Sequence, residues 1–188
     1  MSKEQLLVAV VALIAGLLIG YMFFTGKAER TQVNAPLPMG AGSPTDYQAR
    51  IAEAEKLVQQ DPKNLQAWVQ LGNDYFDTDQ AQKAITAYGK ALELDPNNAN
   101  ILTDQGIMYR KMGWFDKAVA NFEKAQQIDP RHLQSLFNLG VVYANDLKQP
   151  DKAIVVWKKY LAIDSTSPTA QQIKQMVDQL QTSPHGMK

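Results

Sequence analysis

Charged residues are absent from Leu6 to Phe24, a run of 19 residues that reads LLVAVVALIAGLLIGYMFF. At about 1.5 Å per residue such a run crosses a bilayer as one helix, so residues 6–24 are expected to be a transmembrane helix behind a short head, 1–5. Residues 25–45 lose the apolar pattern and hold Pro36, Pro38, Gly40, Gly42, Ser43 and Pro44, which predicts an extended, flexible linker. As a random coil it has an r.m.s. reach of about 25 Å. After it, apolar positions return at helical spacing. Tyr47, Ile51, Ala54, Leu57 and Val58 mark one face of a helix that stops before Asp61-Pro62. Trp68, Leu71 and Tyr75 mark the buried stripe of the next.

The stretch 65–98 then repeats. Of Trp68, Leu71, Gly72, Tyr75, Ala84, Tyr88, Ala91 and Pro96, all but Leu71 are answered 34 residues on, by Leu102, Gly106, Tyr109, Ala118, Phe122, Ala125 and Pro130. Leu136, Leu139, Gly140, Tyr143, Ala153 and Trp157 make a third copy. Gly72, Ala84 and their counterparts are small where two helices must cross closely. The prolines end each second helix, and Asn64 and Asn98 stand at the N-cap of the helix that follows.

These residues at this period resemble the tetratricopeptide repeat family. The resemblance implies an all-α solenoid of helical hairpins over 46–182, with repeats at about 65–98, 99–132 and 133–167. One pair of helices cannot bury its own apolar face, so the hairpins are expected to stack. The helix before Asp61-Pro62 has Arg50 where the repeats have Ala84 and is read as a lone second helix, a half repeat with no partner crossing closely. At the other end, Ser167-Pro168 opens a helix whose stripe is Ile173, Met176, Val177 and Leu180, with a polar outer face suited to a cap. The tail 183–188 is expected to be disordered.

Departures from the period are informative. Tyr143 to Ala153 is one residue longer than Tyr109 to Ala118, and the extra residue is assigned to the turn Asn145 to Asp151. Tyr160 replaces Ala91 and Ala125, which predicts different packing at that end. Gly89 occupies the outer helical position held by Glu123 and Lys158, at a cost to helix stability of about 1 kcal/mol.

At the N-terminus, bulky Tyr21, Met22, Phe23 and Phe24 stand where a cleaved leader would need small residues, which favours an uncleaved anchor. Gly16 and Gly20 are spaced to bring two such helices together, so self-association as a structural organiser or homo-oligomer is the rival role. Lys27 and Arg30 outnumber Lys3, which on charge alone places the repeats in the cytoplasm, as a recruiter there. The layout of head, helix, linker and repeats resembles bacterial inner-membrane proteins whose repeats face the periplasm, and that side is expected. The same layout resembles the anchored repeat subunits of c-type cytochrome assembly, which implies assembly of an envelope complex.

Composition narrows the remaining options. Lys plus Arg and Asp plus Glu are 19 each, and a nucleic-acid partner would ask for a clustered basic surface. With no cysteine, disulfides, thiolate chemistry and cysteine metal sites are excluded. His132 falls at the place of Asn64 and Asn98 and is expected to cap a helix rather than act as catalyst or metal ligand. Asp74, Asp77 and Asp79 straddle a turn without a glycine-centred loop and closing glutamate, so they are read as solvated turn acids. No cofactor and no enzymatic activity is expected.

The resemblance implies instead that a peptide or helix of a protein partner lies along the first helices. Their inward residues off the buried stripe are Val69, Asn73 and Phe76; Thr103, Ile107 and Arg110; and Phe137 and Val141, with Gln66, Gln134 and Ala144 beside them. The apolar members suit an amphipathic or extended peptide. Some family members clamp a terminal carboxylate with lysine, arginine and asparagine in this groove. Only Asn73 and Arg110 resemble that set here, which argues against such a clamp.

Overall fold

The computed structural model describes residues 44–182, within a compact unit that runs Ala41–Lys188. The expected membrane helix at 6–24, most of the linker and the tail 183–188 lie outside the described residues. Among the described residues no helix is long and apolar enough to cross a membrane.

The described elements are helices: α1 Pro44–Gln60, α2 Leu65–Asp77, α3 Ala81–Leu94, α4 Ala99–Lys111, α5 Phe115–Ile128, α6 Leu133–Val141 running on into a π-helical turn Val142–Asp146, α7 Pro150–Ile163 and α8 Pro168–Thr182. Each helix packs on the next in the chain, and α4 also meets α6. The boundaries are chemical. Asn64 Oδ1 accepts from the Ala67 amide at 3.0 Å and Asn98 Oδ1 from the Ile101 amide at 3.2 Å, so both expected caps are in place. Ser167 caps α8 in the same way, its Oγ accepting from the Ala170 amide at 3.1 Å. The period also continues at Asp164, whose Oδ1 accepts the Thr166 and Ser167 amides as Asp61 and Asp129 accept those of Lys63 and Arg131.

The repeated glycines sit under aromatic rings of the partner helix. A Cβ at Gly72 would lie 2.5 Å from the Tyr88 ring, one at Gly106 2.6 Å from Phe122, and one at Gly140 2.1 Å from Trp157. Ala84, Ala118 and Ala153 are fully buried beside them. Two apolar clusters result. The first gathers α1 to α4 around Leu71, Tyr75, Ile85 and Tyr88, and the second gathers α5 to α8 around Phe122, Leu136, Trp157 and Ile173. Half-buried Ile107 and Tyr109 pack against both. Tyr160 joins the second cluster with Ala170, Ile173 and Val177 of α8, so a large side chain here is met by a helix of small and branched ones. The outer face of α8, from Gln171 to Gln179, is polar and exposed as expected of a cap.

Five expectations change. The extra residue of the third repeat is absorbed in the helix rather than in the turn after it. The carbonyls of Tyr75 and Tyr109 accept from Gln80 and Trp114, five residues on, whereas that of Tyr143 accepts from Gln149, six residues on, at 2.7 Å. The π turn takes up the difference, and Ala153 stays in register. Leu57 is exposed, because the face of α1 against α2 is Ala54 and Val58, with Ile51 at its side. Trp68 is only half-buried, held by its indole N–H donating to the Pro62 carbonyl at 3.0 Å. Arg50 does face a helix closely: its guanidinium pairs with Asp74 of α2, which is fully buried, and Asp74 is therefore no solvated turn acid.

The turn before α7 stores a small strain. Lys148 has φ 54°, and Asp79 and Gly113 hold the matching left-handed position at 66° and 74°. Only glycine adopts this conformation without a Cβ clash, so Lys148→Gly is expected to raise the unfolding free energy by about 1 kcal/mol. A urea midpoint that moves up at constant slope would show it, and Gly113→Ala should move it down.

Candidate partner-binding face

The first helices α2, α4 and α6 place their off-stripe residues in three rows set by the period: Val69, Thr103 and Phe137; Asn73, Ile107 and Val141; Phe76, Arg110 and Ala144. Val69, Phe76 and Ile107 are half-buried against the first cluster, and Phe137, Val141 and Ala144 against the second. These side chains thus serve the inter-repeat core with one side and leave the other side open. The Phe137 backbone is fixed from behind, its carbonyl accepting from the Trp157 indole at 3.2 Å. Gln66 and Gln134 are exposed at the margin.

The polar members are already engaged. Thr103 is fully buried, its Oγ1 donating to the Ala99 carbonyl at 2.7 Å, so it leaves the set of groove-lining residues. Its short side chain satisfies itself against its own helix, and sequence spacing does not reveal this. Asn73 Oδ1 accepts from the Tyr88 hydroxyl at 2.8 Å. Arg110 grips Asp146 of the π turn through Nε and Nη2, the latter at 3.4 Å. Arg110 is neutralised by Asp146 and the Asn73 amide has no unpaired cation beside it in these rows, which argues against the terminal-carboxylate clamp. What the rows offer is an apolar surface of half-exposed valine, isoleucine and phenylalanine edged by amides.

His132 sits at the junction of α4 and α6. Its Nδ1 accepts from the Ser135 amide at 3.3 Å, as the expected cap, and Nε2 lies 2.8 Å from Asn100 Oδ1. An acceptor at Nδ1 and a donor at Nε2 describe the neutral ring. Burial lowers the imidazole pKa from its ordinary 6.5, against the opposing carboxylate of Asp129. A base held down in the folded state contributes stability that is complete above about pH 6.5 and falls as pH drops through the folded value. His132→Asn restores the cap of the other repeats. It is expected to lose less stability between pH 7 and pH 5 than the wild type, as read from denaturation midpoints at the two pH values.

Sequence reasoning missed two features. One is the Arg50–Asp74 pair, whose only signal is an arginine one period before Ala84. The other is a cavity of about 490 Å³ between α5, α6 and α7, floored by Leu136, Leu139, Tyr143 and Val156. One period earlier Gln105 and Asn121 replace Leu139 and Val156. They bond each other at 2.8 Å, and Gln105 also donates to the Ile85 carbonyl at 3.0 Å. Among the described residues no group of three or more histidines or carboxylates is placed to hold a metal ion.

Sequence models described as TPR repeat and tetratricopeptide repeat match residues 72–113, 99–132 and 134–167. No curated protein matches significantly. Among solved structures, a crystal structure of MamA superposes with TM-score 0.66 at 22% identity, covering 77% of this chain and 90% of that one. A tetratricopeptide repeat protein from Parabacteroides merdae ATCC 43184 gives 0.66 at 20% identity, over 73% of this chain and 54% of that one. The TPR2B-domain:pHsp70 complex of yeast Sti1 gives 0.55 at 18% identity over 71% of this chain and 97% of that one. Likeness at this level is one of fold.

Proposed function

The chain belongs to the tetratricopeptide repeat family, and on that premise we propose that it is a scaffold that holds a segment of a protein partner against α2, α4 and α6. The observation that carries this reading is the patch of half-buried apolar residues, Val69, Phe76, Ile107, Phe137 and Val141, spread over the three rows on the first helices α2, α4 and α6. A helix or extended segment with apolar anchors matches their spacing better than an acidic terminus would. The apolar run at 6–24 supports a single-pass membrane anchor; the resemblance of the head, helix, linker and repeat layout to bacterial inner-membrane proteins supports repeats in the periplasm and a role in assembling an envelope complex such as that of c-type cytochrome maturation. The role is non-catalytic.

Two experiments test the reading. A photo-crosslinker placed at Val141 or Phe76 in cells should trap a partner, one at Gln172 on the outer face of α8 should not, and Phe137→Glu should abolish the adduct. Equal trapping from Gln172 would remove the groove from the account. A reporter active on one side of the membrane, fused after Lys188, should report the periplasm. A cytoplasmic signal would remove the envelope-assembly role and leave the scaffold.

A further inference from the structure

The repeats share a second periodic arrangement on a different side from the groove rows. In the first, the Tyr75 hydroxyl donates to Glu55 and Lys83 lies 5.2 Å over the Tyr75 ring. In the third, the Tyr143 hydroxyl donates to Glu123 at 3.0 Å and Lys152 lies 5.3 Å over the Tyr143 ring. Each carboxylate stands 20 residues before its tyrosine, on the second helix of the preceding repeat. The middle repeat keeps the tyrosine and the lysine, with Lys117 Nζ 5.6 Å from the Tyr109 ring centre. Its carboxylate position is Gly89.

The gap is open. A Cβ at Gly89 would meet only Gln105 Nε2 at 3.5 Å, an ordinary contact. Tyr109 is half-buried where Tyr75 and Tyr143 are buried. Burial and then Glu123 push the Tyr143 phenol up to about 12, whereas Tyr109 is raised by burial alone. Lys117, like Lys83 and Lys152, is held over its tyrosine ring rather than in an ion pair among the described residues, and it also lies 4.6 Å from the Trp114 ring. Beside them stand Trp114 and Met112 of the α4–α5 turn, 37% and 40% exposed, with the Trp114 and Tyr109 rings 5.9 Å apart. A phenol donor, an ammonium and an exposed indole therefore surround a place where the flanking repeats have a carboxylate, and glycine there lets another chain approach closely.

We propose that this gap receives an aspartate or glutamate side chain of a protein partner, which accepts from the Tyr109 hydroxyl and pairs with Lys117 while an adjoining apolar residue of the partner rests on Trp114. This second contact is separate from the groove and stands or falls independently of it. An acidic residue next to an apolar one is the recognised chemistry. Charge complementarity selects it, since a lysine in the partner would face Lys117.

The test uses the full-length chain in mild detergent and follows the Trp114 indole N–H by NMR, assigned with Trp114→Phe. The probe is the peptide acetyl-Leu-Glu-Leu-amide, with its Gln counterpart as control. The acidic peptide is expected to shift the Trp114 signal and to bind about tenfold more tightly than the amide peptide, the difference expected of a charge-assisted hydrogen bond. Gly89→Glu should fill the gap from within, abolish the shift and raise the melting temperature, with the rise reduced in a Tyr109→Phe background. Lys117→Gln should weaken the peptide without lowering the melting temperature. No Trp114 shift, equal response to both peptides, or undiminished binding to Gly89→Glu would each overturn the proposal.

Discussion

Gly106→Leu is expected to lower the unfolding free energy by about 3 kcal/mol, which for a helical array of this size brings the melting temperature down on the order of 10 °C. Even the first added carbon would lie 2.6 Å from one Phe122 ring atom and 3.0 Å from two more. Real Cβ atoms do not approach that closely, so the ring or a helix must move. The ring has nowhere to go, because Phe122 is fully buried and Ala118 and Ala125 on the same helix are fully buried too. The strain therefore separates α4 from α5, and the loss of packing extends along both. Circular dichroism melts of the variant and the wild type would measure it. A melting temperature unchanged within error would mean that the glycine is not what sets the approach of the two helices. Gly140→Leu should be at least as damaging, since Trp157 lies closer still and its indole also bonds the Phe137 carbonyl.

Arg50→Met is expected to cost about 3 kcal/mol at pH 7, the lower end for uncovering one partner of a buried pair, because the arginine side chain is itself 27% exposed. Asp74 has no exposure, and burial raises its carboxyl above the ordinary 3.8 even with Gln70 donating to it at 3.0 Å and Arg50 beside it. Without the guanidinium the ionised form is less favourable still. The sign follows from linkage. An acid whose folded pKa is raised binds its proton more readily when folded, so its unfavourable contribution is absent below the unfolded value and grows as pH rises through the folded one. The Arg50→Met defect should therefore shrink between pH 7 and pH 4. Asp74→Asn added to Arg50→Met should recover most of the loss at pH 7. If the double variant were as unstable as the single one, the loss would come from the methylene packing of Arg50 rather than from the stranded charge.

The helices and their order were legible in the sequence because each depends on residues that act locally or repeat. Asn64, Asn98 and His132 cap within three residues of themselves, and the glycine-aromatic pairs recur at the period. Thr103 was not legible, since the same spacing fits a groove position and a buried one, and only its bond to Ala99 distinguishes them. Leu57 failed for a related reason: among the described helices α1 packs mainly on α2, so its buried face is narrower than an apolar stripe implies. Asp74 looked like its neighbours Asp77 and Asp79, and its burial depends on Arg50, 24 residues away. The π turn was visible as one residue too many, but length alone does not tell whether a helix or a loop accommodates it. The groove rows were legible as a surface, whereas the engagement of Asn73 by Tyr88 and of Arg110 by Asp146 required coordinates.

The division of the apolar core into two clusters, with Ile107 and Tyr109 packed against both, bears on how the array comes apart. Long-range order along a linear stack passes through nearest-neighbour contacts, here these shared side chains together with the Gly106–Phe122 crossing and the Gln105–Asn121 bond, so cooperativity is as strong as its narrowest junction. The two halves should melt as coupled but distinguishable units, with a calorimetric enthalpy larger than the van't Hoff value. Ile107→Ala should widen that difference. A partner lying across α4 and α6 would then do more than occupy a surface: it would act as a splint, making one cooperative body of two.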